Sequence, residues 1–172
     1  MAKKFVKISI LALAEEQKVR DPAIILIDKK ANRILPISIG ETEAKAIAEV
    51  MQKLKFDRPT PHRLMDNIIK KLGGKIERII INKIETNTFY SIIFVKTRGS
   101  AKLIQIDARP SDAITLALQV HAPVFVDSKI MDALAQDNPF QIGAKIKFTK
   151  KEINYMAALL KIAREKEEGT DI

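Results

Sequence analysis

The chain has 172 residues, 47% of them apolar, enough for one well-buried core but short for two. Thirty basic residues against 21 acidic give a net charge of +9, which favours anionic partners such as nucleic acid. There is no cysteine, which excludes disulfides and thiolate metal centres, and His62 and His121 are the only histidines, which excludes multi-histidine metal motifs.

No run approaches the roughly eighteen apolar residues of a membrane span. The first apolar run, Ile8 to Ala14, meets Glu15 and Glu16 at once and has no small-residue cleavage site, so a cytoplasmic protein is expected. Basic and acidic residues balance from Thr149 onwards, so the positive excess belongs to the body of the chain.

Phe5 to Ala14 alternates as a strand does, with Val6, Ile8, Ile10 and Ala12 on one face. AIILID and RILPISI follow as two strands flanking a turn at Lys29 to Asn32, and Pro36 marks the latter as an edge or a bulge. ETEAKAIAEVMQKL predicts a helix with Ala44, Ile47, Ala48, Met51 and Leu54 on one stripe and Thr42 as its cap. Glu41 and Glu43 lie near its start, where the helix dipole favours carboxylates. In RPTPHR, Thr60 is placed to cap and Pro61 to open a second helix that ends at Gly73 and Gly74, with His62 in its first turn.

KIERIIINKIE and TFYSIIFVK predict a long antiparallel pair joined at Glu85-Thr86-Asn87, and KLIQID a third strand. Phe89 and Tyr90 are adjacent and must face opposite ways, one into the core. The third strand runs into IDARPSDAI, Ile106 to Ile114, where Pro110 suits the first helical position because its missing N–H has no partner there. The helix that follows is apolar around most of its circumference and should be buried centrally, with His121 at its end in a structural role. APVFV is a short strand, Asp127 or Ser128 caps a brief helix, and TKKE at Thr149 to Glu152 opens an amphipathic helix with Ile153, Met156, Ala157 and Leu160 on one stripe. The expected organisation is one domain over residues 1–146 with a helical appendage over 147–172.

The IDARPSDAI junction sets Asp107, Arg109, Ser111 and Asp112 at a strand end and a helix N-terminus. They can satisfy the helix dipole and one another, or hold a metal or an anionic substrate. There is no P-loop, no GxGxxG after a strand and no GxSxG elbow, which removes nucleotide-hydrolase and serine-hydrolase mechanisms and leaves carboxylates, His62 and arginines.

Four blocks, LPISIGETEA, RPTPH, NTFYS and IDARPSDAI, together resemble the bifunctional nuclease domain family over roughly Phe5 to Val126. Within RPTPH the family reads arginine-proline-leucine-threonine-histidine, so Thr60-Pro61 departs from its pattern. The resemblance implies an α+β fold, a mixed and largely antiparallel sheet wrapped around a central helix, a homodimer, and hydrolysis of phosphodiester bonds in RNA and DNA. Members of the family also add two paired helices downstream, whereas one is expected here.

A phosphodiester nuclease needs cationic groups to stabilise charge and a group to position water. His62, Asp107 and Asp112 are the candidate catalytic residues, and Arg58, Arg109 and Ser111 the candidate substrate-binding ones. Asp107, Asp112, Glu41 and Glu43 are the candidate ligands of magnesium or manganese, hard cations that prefer oxygen. The alternatives are a non-catalytic oligomeric module that binds nucleic acid or a protein partner, and an enzyme acting on a small anionic metabolite.

Overall fold

A computed structural model of the chain describes residues 4–15 and 22–138, so the amphipathic segment from Thr149 lies outside the described residues. Within them the predicted elements form in order: strands β1 (Phe5–Glu15), β2 (Pro22–Asp28) and β3 (Arg33–Ser38), then helices α1 (Glu41–Met51) and α2 (Pro61–Lys71). Strands β4 (Gly74–Glu85), β5 (Thr88–Thr97) and β6 (Ile104–Ala108) lead into helix α3 (Pro110–Val120). Strand β7 (Val124–Asp127), helix α4 (Ser128–Leu134) and a short strand β8 (Gln136–Asp137) complete the described chain.

The eight strands form one open sheet in the order β6-β5-β4-β7-β1-β2-β3-β8, antiparallel throughout except between β4 and β7. Residues 5–8 of β1 pair with β7 and residues 9–15 with β2, with a register shift between Ile10 and Ala12. One long strand therefore carries the sheet from one half to the other, and its irregularity bends it. Pro36 is tolerated because β8 pairs only with Arg33 and Ile34, so no neighbour needs the N–H that proline lacks.

The core gathers on α3, in which Ala113, Ile114, Leu116 and Ala117 are buried together with Pro110, Ser111 and Thr115. Ile24, Leu26, Leu35, Ile79, Ile81 and Val126 of the sheet and Ile47 of α1 are at most 1% exposed in the same cluster. Burying each such side chain contributes roughly 1.5–3 kcal/mol, enough to hold a central helix with little polar surface. The expected α+β class is therefore the observed one.

Two local expectations are corrected. Thr42 does not cap α1: the helix starts at Glu41 and Gly40 is its N-cap. Pro61 opens α2 as expected, but Thr60 at its N-cap makes no side-chain cap bond. His121 ends α3 in the left-handed conformation, φ 58°, consistent with a structural role.

Candidate active site

Helices α1, α2 and α3 begin at the same place. Their first turns supply Thr42 and Glu43, Pro61 and His62, and Arg109 and Asp112 to the wall of one open cleft of about 670 Å3. The N-cap residues are Gly40, Thr60 and Arg109, and none makes a side-chain cap bond. First-turn N–H groups without intrahelical partners, at the positive ends of three dipoles, are suited to an anion.

Strand β6 delivers Arg109 to this point. Ser91, fully buried on β5, donates its hydroxyl to the Ala108 carbonyl at 2.7 Å and fixes the strand end. Arg109 then folds back along α3: its Nε donates to Asp112 Oδ2 at 2.7 Å, and one terminal nitrogen reaches Oδ1 at 3.2 Å. The other terminal nitrogen donates to Glu43 Oε1 at 2.7 Å. His62 Nε2 lies 3.1 Å from the same Oδ1 of Asp112. Four residues from three helix starts thus form one chain, His62 to Asp112 to Arg109 to Glu43.

Burial alone would raise the Asp112 carboxyl, but the hydrogen bonds from Arg109 and His62 outweigh it and hold its pKa below the ordinary carboxylate range. Reciprocally, the bond to Asp112 raises the Arg109 guanidinium. Asp112 is therefore a fixed negative charge, and it favours the His62 tautomer that carries its proton on Nε2. That leaves Nδ1 with a lone pair.

Gly40 leaves room for this arrangement. A Cβ built on Gly40 would collide with the Glu43 carboxylate, so the absence of a side chain at the helix cap lets Glu43 fold back while Oε1 meets Arg109. Behind the cleft, Gln119 donates to the His62 carbonyl at 3.4 Å, and Arg63 donates to the Leu54 carbonyl at 3.2 Å, securing the turn that carries Arg58. Sequence reasoning places Gly40 only at a strand end and gives neither it nor Gln119 a part in the site. Only the position of Gly40 ahead of a helix signalled the first.

Of the expected site residues, His62, Asp112, Arg109, Arg58 and Glu43 line the cleft. Arg58 is exposed and has no ion-pair partner among the described residues. Ser111 is buried and lines a second, adjoining lobe. Asp107 and Glu41 do not line the cleft. Asp107 pairs with Ile92 on β5, whereas its neighbours Ile106 and Ala108 pair with Ile93 and Ser91, which are buried on the helix-covered face. Strand alternation therefore turns Asp107 to the opposite face of the sheet.

Of the four expected metal ligands, only Glu43 and Asp112 come together, and the Arg109 guanidinium binds both. Among the described residues no three His, Cys, Asp or Glu side chains are grouped to hold an ion. As arranged, the Arg109 guanidinium is bonded to both carboxylates, and the residues present do not fit a divalent ion. The cleft is also balanced in charge, with Lys45, Lys55, Arg58 and Arg109 against Glu43, Glu49, Asp57 and Asp112. An anion placed here would meet the helix ends and Arg58 rather than a net positive charge.

The chain is thus an α+β domain whose open sheet packs on a central helix and whose histidine–carboxylate–arginine cluster lies where three helices begin. The chain belongs to the bifunctional nuclease domain family, whose model matches residues 24–139. It is 32% identical over 126 residues to an uncharacterised protein of Mycobacterium tuberculosis, covering 73% of each chain. It is 26% identical over 108 residues to bifunctional nuclease 1 of Arabidopsis thaliana and 29% identical over 107 to bifunctional nuclease 2 of Oryza sativa. These matches cover 62% and 61% of this chain and 33% of each plant protein. No helix among the described residues is long and apolar enough to cross a membrane.

Proposed function

We propose that the chain hydrolyses phosphodiester bonds in RNA and DNA at the cleft where the three helices begin. The observation that carries this reading is the contact between His62 and Asp112 beside Arg109, in a cleft whose helix N-termini lack side-chain caps. A phosphate seated on those N–H groups, with Arg58 and Arg109 on its oxygens, has its charge screened where negative charge builds up in the transition state. Because DNA has no 2′-hydroxyl, the nucleophile common to both substrates is water. His62 Nδ1 takes a proton from that water as its oxygen bonds to phosphorus. The ester P–O bond then breaks, and the leaving oxygen takes a proton from solvent.

Asp112 orients the ring and balances the imidazolium that forms, while Glu43 holds Arg109 in place. No step is routed through a metal, because Arg109 lies between the two carboxylates that would bind one. The test is cleavage of single-stranded RNA and DNA by the purified chain and by His62→Ala, which should lose about 100-fold or more. Salt-sensitive binding without cleavage, by parent and variant alike, would favour the non-catalytic module.

The homodimer is part of the same reading, and helix α2 supports it. His62 and Arg63 are half-buried and Asp66 is buried, accepting from Lys70 at 2.6 Å, while Leu64, Met65, Ile68 and Leu72 face solvent, the last 79% exposed. Ile69 packs beside Val95, whose partners along β6 place exposed Ile104 and Ile106 on the same face of the sheet. The exposed parts of these six side chains come to roughly 550 Å2 per copy, so two copies would bury on the order of 1,100 Å2 of apolar surface, near the lower bound for a stable complex. Leu72→Glu combined with Ile68→Glu should shift the sedimenting species from dimer to monomer. A parent that sediments as a monomer at micromolar concentration overturns this part of the proposal.

A further inference from the structure

Beside the main cleft lies a second lobe of about 320 Å3, and the two share Glu43 and Arg109 as a common wall. Its lining comes from three sources: Ile37 to Gly40 between β3 and α1, the tip of the β4–β5 hairpin at Asn87 to Phe89, and Pro110 and Ser111 at the start of α3. The NTFYS block thereby acquires a role, because its first residues form this lobe while Ser91 fixes the end of β6.

The chemistry of the lobe differs from that of the main cleft. Arg109 and Glu43 are its only charged residues and pair with each other on the shared wall, and the rest is apolar (Ile37, Ile39, Phe89, Pro110) or neutral and polar (Ser38, Asn87, Thr88, Ser111) apart from Gly40. The Asn87 side-chain amide has no hydrogen-bond partner among the described residues and is exposed at the lobe's edge. Apolar side chains with a neutral donor and acceptor among them suit an uncharged ring that makes hydrogen bonds. The adjoining Arg109, although paired with Glu43 and Asp112, suits a group attached to an anion. The lobe is at the small end of ligand sites and has room for a single ring system with its sugar, not a base pair.

We infer that this lobe is a subsite for one unpaired nucleobase of the strand whose phosphate lies at Arg109, with the Asn87 amide reading the base edge. The inference rests on the nuclease reading and deepens it: a base paired in a duplex cannot enter, so the substrate is single-stranded at the point of cleavage. The competing explanation for Asn87 is its backbone. Thr86 and Asn87 have φ of 46° and 62°, a turn with both central residues left-handed, which favours asparagine for itself. Glycine satisfies that turn equally well without an amide, so Asn87→Gly separates the two explanations.

The experiment measures binding, so it does not depend on cleavage. The full chain is titrated with a fluorescent six-nucleotide single strand and with versions in which each position in turn is abasic. At one position, base removal should weaken binding by about tenfold, the scale of one base–aromatic contact. In Asn87→Gly, with thermal stability kept, the parent strand should bind several-fold more weakly and the penalty at that position should shrink. If no position matters, or if Asn87→Gly retains the full penalty, the subsite is overturned while the nuclease reading stands on its cleavage test. If the parent binds no oligonucleotide at all, both fall together.

Discussion

His62 and Asp112 are 50 residues apart in the chain, yet Nε2 of one lies 3.1 Å from Oδ1 of the other. The contact exists because α2 and α3 both begin with proline at the mouth of the same cleft. His62→Ala should therefore abolish cleavage with little change in melting temperature. Asp112→Asn should keep the shape but remove the charge that balances an imidazolium, lowering kcat by about 10–100-fold with a smaller change in KM. Equal loss of folding and activity in both variants would show a merely structural contact.

Asp107 offers the sharpest contrast with Asp112, since its side chain lies on the other face of the sheet. Asp107→Asn should leave cleavage within about twofold of the parent, as for a surface substitution away from the site. A loss comparable to that of Asp112→Asn would require Asp107 to act in the reaction.

Gly40→Ala tests the placement of Glu43 without changing any charge. A methyl group would meet the Glu43 carboxylate and displace it from Arg109, and alanine is compatible with the backbone at φ −75°. The expected result is a several-fold change in KM with stability altered by only about 0.5 kcal/mol. Retained kinetics would mean that Glu43 does not hold Arg109 during turnover.

Chelation addresses the sequence expectation of magnesium or manganese. With Arg109 binding both Glu43 and Asp112, cleavage should persist in excess chelator. If chelator stops it and magnesium or manganese restores it, Arg109 must swing away and leave Glu43 and Asp112 to bind the ion.

The lowered Asp112 carboxyl links stability to pH. A carboxylate whose folded pKa lies below its unfolded value, about 3.9, contributes stability above that value and loses it as pH falls through the folded pKa. Asp112→Asn should thus cost melting temperature at pH 7 by about 2 °C, because a partly solvated pair is worth about 1 kcal/mol or less. At pH 2–3 the gap between parent and variant should narrow, and thermal melts at the two pH values measure it.

The elements themselves were legible in the sequence. Alternation marked the strands, Pro61 and Pro110 marked helix starts, and the apolar circumference of α3 announced its central position. These follow from local sterics and from the period at which apolar side chains recur. Family membership was legible too, because the four blocks, RPTPH with its departure included, all lie within the matched residues 24–139.

The tertiary structure alone decided which groups meet. Asp107 and Asp112, or Glu41 and Glu43, are equivalent by type and nearness in sequence. Strand alternation and helix rotation separate them, and which face is inward depends on what packs there. Helix α2 makes the same point in reverse: His62 and Asp66 turn inward while Leu64, Met65, Ile68 and Leu72 face out, an orientation held by His62 reaching Asp112 and by Ile69 packing against the core. The room that glycine leaves at position 40 matters likewise only because a carboxylate three residues later lies there, which no local rule states.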